Sequence, residues 1–231
     1  MNFTPVKRLC SLCLLTLLSC GKGYKEKEYL QYEVASGRFK ATLKPLNSHV
    51  GAFHGWVSLS IEDYQFWARV KVMGPNTKDM HAQYIHTRGM CPMMSDDTNH
   101  DGYLDFMEAS MVAGPILLPL DSNLNSQMFG LNEFPVMRSK KDFYYYSEAC
   151  NAERMMFDLR RHDSYQTDMI SKLASSEKLN LHKRIVMIYG VAQERALPTT
   201  VRSFDGYPSQ ASLPIACGEI MVGESDGFSL K

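Results

Sequence analysis

The sequence predicts an all-β fold, a sandwich or barrel with long loops and room for one short helix. Three observations carry this: apolar residues recur at every second position, the apolar runs are short, and turn residues separate them. The clearest case lies between Gly55 and Gly74. Val57, Leu59 and Ile61 alternate with Trp56, Ser58 and Ser60, Glu62-Asp63 supply a polar turn, and Phe66, Ala68, Val70 and Val72 alternate with Trp67, Arg69 and Lys71. Two such arms predict a β-hairpin with one buried face. A strand-like pattern precedes it from Glu33. Further strands are expected at 80–86, at 114–120 between prolines, at 141–149 where aromatics crowd, at 184–192 and at 212–222. That makes roughly seven or eight short strands with long connections. The stretch 151–180 is the least regular. Met169, Ile170 and Leu173 stand at helical spacing, with Ser164 or Thr167 as a cap, so a helix is expected within 164–179.

Bulk properties exclude several classes. The chain has 231 residues, 45% hydrophobic and 22% charged, with a formal net charge of zero. That is an ordinary globular composition, and no basic stripe points to nucleic acid. The first nineteen residues read as an export signal. Lys7 and Arg8 form a basic start, and the apolar run from Leu9 to Leu18 is too short to span a bilayer. Leu17-Leu18-Ser19-Cys20 then resembles the lipobox of bacterial lipoproteins, with Leu18 bulkier than usual. On that reading Cys20 is lipidated, and residues 20–32 form a polar tether to a single domain at 33–231; a plain secretory signal cleaved nearby is the alternative. Either way the protein is exported to the bacterial cell envelope, and its expected partners are the membrane, through the lipid, and an envelope protein or glycan. Without Lys7 and Arg8, the 25 basic residues become 23 against 25 acidic ones, a net charge of −2. Cys10 and Cys13 leave with the signal. Cys91, Cys150 and Cys217 remain, enough for one internal disulfide in an oxidising compartment.

The stretch Asp97-Thr-Asn-His-Asp-Gly-Tyr-Leu-Asp-Phe-Met-Glu108 matches the EF-hand calcium loop D-x-[DN]-x-[DN]-G-x5-E in full. Calcium takes six to eight hard oxygens, and this spacing wraps them around one point. Asp97, Asn99 and Asp101 offer side-chain oxygens, and Gly102 permits the sharp turn. Tyr103 offers its carbonyl, Asp105 binds directly or through water, and Glu108 closes the site. The flanks are not those of a sensor: the residues before the loop contain Gly89 and Pro92 and lack a helical period. Those after it suit one or two helical turns. A lone loop of this kind pins a structure rather than opening it, so a structural Ca²⁺ is expected.

His81, Tyr84 and His86 fall on one strand, with Tyr84 and His86 on one face and His81 on the other. With Cys91 soon after them and Leu213-Pro-Ile-Ala-Cys217-Gly near the end, the chain resembles the Cu,Zn superoxide dismutases and the related CHRD domains over roughly residues 33–222. The resemblance implies a Greek-key β-sandwich and a Cys91–Cys217 disulfide. It also shows departures. Tyr84 stands where the family has a copper histidine between His81 and His86, Tyr189 stands at another, and Pro214 replaces the substrate-guiding arginine. The zinc loop gives way to the calcium-type loop, where His100 is the sole imidazole. Copper dismutation needs a redox metal held by several imidazoles, so the resemblance implies a lost active site and no catalysis.

Two further readings concern soft metals. His86, Tyr84 and Tyr189 could cluster around a residual metal, or they are hydrogen-bonded core residues. Met90, Cys91, Met93 and Met94 suit Cu(I), which with His81 and His86 would make an envelope copper protein or redox enzyme. Against that, methionine is ordinary core filler, and a disulfide would consume Cys91. Cys150 reads as a buried small hydrophobe, since no neighbouring motif would activate it. No other catalytic pattern is present. The aromatics of Phe143-Tyr-Tyr-Tyr146 could present a sugar- or peptide-binding face, or alternate ones fill the core.

Overall fold

The computed structural model describes residues 36–223 apart from 75–79, 129–132, 136–142, 163–167 and 205. The signal segment, Cys20 and the tether lie outside the described residues, as do Ser164 and Thr167.

The fold is all-β, as expected. Strand β1 (Gly37–Pro45) is followed by the hairpin β2 (His54–Glu62) and β3 (Gln65–Met73), then β4 (Gln83–His86). Helix α1 (Phe106–Ala113) leads to β5 (Ile116–Pro119) and β6 (Phe143–Asn151), and α2 (Ala152–Arg160) leads to β7 (Ile185–Tyr189). A single helical turn α3 (Ser209–Ser212) precedes β8 (Pro214–Glu219) and β9 (Met221–Val222). The ladder runs β5-β4-β7-β8-β1-β2-β3-β6, with β9 beside β1. All named pairs are antiparallel.

β1 divides this ladder into two sheets. Its first seven residues pair with β2, and Lys44 and Pro45 pair with β8. β8 thus returns from the far end of the chain to lie beside β1, the long-return neighbour of a Greek key. Between the sheets lies the larger core, which joins Val57, Leu59, Phe66 and Val70 to Ile85, Leu117, Val186 and Ile215. The first sheet (β1, β2, β3, β6) buries one face, and the alternation of β2 and β3 shows it: every second side chain is buried. The second sheet (β5, β4, β7, β8) is buried on both faces, so β4, β5 and β7 are buried at every position. Its outer face packs Tyr84, Met187 and Tyr189 against Leu104, Phe106, Phe134 and Phe204.

Three local expectations are corrected. The hairpin turn is Asp63-Tyr64, one residue later than Glu62-Asp63; both residues have positive φ (48° and 62°), the type I′ geometry whose twist matches the strands. The strand expected over 80–86 is confined to 83–86. The helix does not fall in the described part of 164–179. It lies upstream as α2, where Asn151 caps it by accepting from Arg154 N at 2.9 Å. Around Ile170 the chain instead forms a bridge with Ile116: Ile116 N–H donates to Met169 O at 2.7 Å, and Ser171 N–H to Ile116 O at 2.9 Å. An edge strand with open backbone groups outcompetes a three-residue helical signal.

Candidate functional site

The calcium-type loop lies over the outer face of the second sheet and runs straight into α1. Its backbone folds through successive side-chain turns. Gly102 N–H donates to Asp97 Oδ2 (2.9 Å), Asp101 N–H to Asn99 Oδ1 (2.9 Å), and Tyr103 N–H to Asp101 Oδ1 (2.8 Å). Gly102 has φ 86°, a conformation costly for any side chain. Asp105 is the helix cap: its Oδ1 accepts from Glu108 N at 2.9 Å while Glu108 Oε2 accepts from Asp105 N at 3.1 Å, a reciprocal capping box. Leu104 is anchored by Asn47, which accepts from its N–H and donates to its carbonyl, both at 2.9 Å.

The acidic groups divide between two uses. Glu108, only 1% exposed, accepts on Oε1 from Thr98 N–H (2.9 Å), Thr98 Oγ1 (2.9 Å) and Asn99 N–H (3.2 Å). Burial pushes its carboxyl up, but these donors and Asp105 N–H outweigh it, so the group lies below its ordinary value. Arg202 arrives from the segment before α3. Its Nε donates to Asp105 Oδ2 at 2.7 Å, and its Nη2 lies 3.4 Å from Glu108 Oε1. These carboxylates raise the guanidinium further above its ordinary value, the Asp105 hydrogen bond most. Thr200 Oγ1 donates to Asp101 Oδ2 at 2.5 Å. Asp97 is different: it is 7% exposed, and its Oδ1 is buried with no hydrogen-bond partner among the described residues. Among the described residues, no three His, Cys, Asp or Glu side chains stand in an arrangement that could hold a metal ion. Asp105 and Glu108 face amides and Arg202 rather than a shared centre. Thr200, Arg202 and Asn47 carry no local sequence signal; only the fold brings them to the loop.

The histidines lie beneath, in separate clusters. His86 stands at a register shift in β4 and is fully buried. Its Nδ1 is 2.8 Å from Gly114 O, and its Nε2 is 2.8 Å from Tyr189 Oη. A carbonyl only accepts, so Nδ1 carries the proton and Nε2 accepts from the tyrosine hydroxyl. Gly114 makes this approach possible: it has φ 74°, and a Cβ there would meet Thr87 Oγ1 at 2.3 Å. Tyr84, 6.2 Å from His86 and 5.4 Å from Tyr189 between ring centroids, completes the cluster. Burial raises both tyrosines well above their ordinary value and lowers His86 to about 4. His81 sits on the inner side, stacked on Tyr144 at 5.5 Å, with Nδ1 3.1 Å from Tyr189 O. It too is held to about 4, by burial. The expected clustering of His86, Tyr84 and Tyr189 is therefore present, as a hydrogen-bonded core with both His86 nitrogens engaged.

The methionine stretch is elsewhere. Met90, Met93 and Met94 are exposed, and Cys91 is joined to Cys217. The bond forms part of an open pocket of about 490 Å³ that Met93, Met94 and Met221 also line. A disulfide offers no thiolate, so the soft-ligand set loses its strongest donor. Cys150 is buried, and burial lifts its thiol to about 12. A group that sequence reasoning missed is Asp121: fully buried, and pushed up to about 7, chiefly by burial and further by the neighbouring Glu133 carboxyl.

No family model matches the chain, and no curated protein matches it. Among solved structures it is similar to a double mutant of a SOD-like protein from Bacillus subtilis, at 14% identity and a TM-score of 0.39, over 79% of this chain and 96% of that chain. A likeness of that size carries no weight for the site.

Proposed function

We propose that this protein is an exported, lipid-anchored binding module of the cell envelope in which residues 97–108 hold one structural Ca²⁺, and that it is not an enzyme. The observation that carries the calcium reading is Asp97: a buried carboxylate oxygen without a donor among the described residues, at the first position of a loop already folded through the turns such a site needs. A buried, unpaired anionic oxygen is costly, and a cation relieves it. Asp97, Asn99 and Asp101 would supply side-chain oxygens and Tyr103 a carbonyl. Glu108 would join by giving up part of its bonding to Thr98 and Asn99. The ion would fasten α1, the 200–202 segment and Asn47 over the second sheet. The binding role, rather than catalysis, is supported by His86, whose two nitrogens are both engaged, and by the disulfide at Cys91. Lipidation at Cys20 and placement in the envelope rest on the sequence alone.

The test is thermal melting of the soluble form beginning after Cys20, with and without Ca²⁺. An ion present at a hundred times its dissociation constant adds about 2.7 kcal/mol, which is a rise of roughly 5 °C or more for a domain of this size. Asp97→Ala and Asp101→Ala should abolish the rise. Arg202→Gln frees Asp105 and Glu108 and should enlarge it. A melting temperature indifferent to Ca²⁺ in all four proteins sinks the reading and leaves Arg202 as the loop's own cation.

A further inference from the structure

The solvent face of the first sheet carries aromatic, cationic and hydroxyl side chains together. The register places its outward side chains in rows across four strands. One row holds Thr42, Trp56, Lys71 and Tyr145; the next Lys40, Ser58, Arg69 and Ser147; the third Arg38, Ser60, Trp67 and Ala149. Rows two residues apart along a strand are separated by about 7 Å. Aromatic platforms in the outer rows thus flank a middle row of cations and small hydroxyls. Trp67 is 38% exposed and Tyr145 43% exposed, so both rings are accessible to a ligand.

The cations are held in place by the rings. The Arg69 guanidinium carbon lies 5.2 Å from the centre of the Trp67 ring, and Lys71 Nζ lies 5.1 Å from that of Phe143. Arg38 is joined to Glu62 at 2.6 Å. Lys40, Arg69 and Lys71 form no ion pair among the described residues. A chain with zero formal net charge therefore concentrates positive charge here, and such a field draws in anions.

We propose that this face binds an acidic polysaccharide, lying across β1, β2, β3 and β6. Trp56, Trp67 and Tyr145 would stack on the apolar faces of sugar rings. Lys40, Arg69 and Lys71 would meet carboxylate or sulfate groups, and Ser58, Ser60 and Ser147 would meet hydroxyls. Single-stranded nucleic acid also combines rings with anions, but stacked bases want near-parallel platforms. Trp56 and Tyr145 are instead inclined by 63° at a centroid distance of 6.3 Å. A corrugated surface suits rings joined by bent linkages. The proposal deepens the exported-module reading, on which it rests for its partner class, and it is independent of the calcium loop.

The experiment is calorimetric titration of the soluble form with polygalacturonate, heparin, neutral dextran and a thymidine oligonucleotide, in physiological salt, once with Ca²⁺ and once with chelator. Binding of either acidic polysaccharide with dextran silent is expected. Trp67→Ala and Arg69→Glu, both on the solvent side, should each weaken it tenfold or more with the melting temperature held within about 2 °C. Absent binding, equal binding of the oligonucleotide, or binding untouched by Trp67→Ala overturns the proposal; the last outcome would be simple ion exchange. Binding that persists in chelator separates this result from the fate of the calcium reading. A variant that fails to fold is replaced by Tyr145→Ser, whose ring is more exposed still.

Discussion

The two sheets of this molecule use the same antiparallel ladder for opposite ends. The first keeps one face in water and shows alternation throughout β2 and β3. The second is covered on both faces and shows none in β7. The polar residues of the covered sheet are consequently bound internally: Gln83 Nε2 donates to Leu120 O at 2.7 Å, His86 is held at both nitrogens, and Tyr146 from the neighbouring sheet donates to Asp121 O at 2.7 Å. Those of the open sheet point outward. The covered sheet thus holds its histidine cluster in hydrogen bonds away from water, whereas the open sheet leaves Trp67 and Tyr145 in contact with it.

The strongest way to test the covered sheet is to loosen its lid. The disulfide closes a separation of 126 residues, and chain-entropy arithmetic gives about 5 kcal/mol for a loop that long. Cys91→Ser with Cys217→Ser should lower stability by several kcal/mol in a denaturant titration; a loss under about 1 kcal/mol would mean the lid is held by packing alone. The open sheet is tested by adjacent residues on one strand. Phe66 is fully buried and Trp67 is not. Phe66→Ala should cost about 4 kcal/mol and Trp67→Ala no more than about 1. Similar losses would contradict the assignment of faces.

Acid should separate the sheets by a smaller margin. Folding lowers His81 and His86 from 6.5 to about 4, so between those values the unfolded chain takes up protons that the folded chain refuses, and stability falls as pH falls. Asp121 opposes this. Folding raises it from 3.8 to about 7, so over that range acidification adds stability. Two histidines against one aspartate leave a net loss of about 2 kcal/mol between pH 7 and 4.5. Asp121→Asn should make the fall steeper. Melting curves flat across this range would show that the histidines are not held neutral.

The open sheet was legible in the sequence because alternation encodes a half-wet strand. Its turn was misplaced by one residue, since Asp63 and Tyr64 signal left-handed geometry weakly. In the covered sheet, strands could be found but faces could not, because every position is apolar. Helix α2 did carry a signal: Ala152, Met155, Met156 and Leu159 recur at helical spacing after the capping Asn151, and all four are buried. It was masked by the preceding aromatic strand, which β6 carries without a break into the cap. The loop pattern at 97–108 was plain, and its turns are there. Its contacts with Arg202 and Thr200 come from about a hundred residues away in sequence, beyond the reach of any local pattern.

Asn47 is a single point on which this arrangement depends. It is fully buried in a left-handed conformation, φ 46°, and its amide nitrogen donates to both Leu104 O and Pro214 O at 2.9 Å. Hydrolysis of that amide to an acid, the common ageing reaction of asparagine, would put an oxygen against two carbonyl oxygens. The change adds barely one mass unit. It would nonetheless unfasten the acidic loop and the last long strand together, because one amide nitrogen holds both.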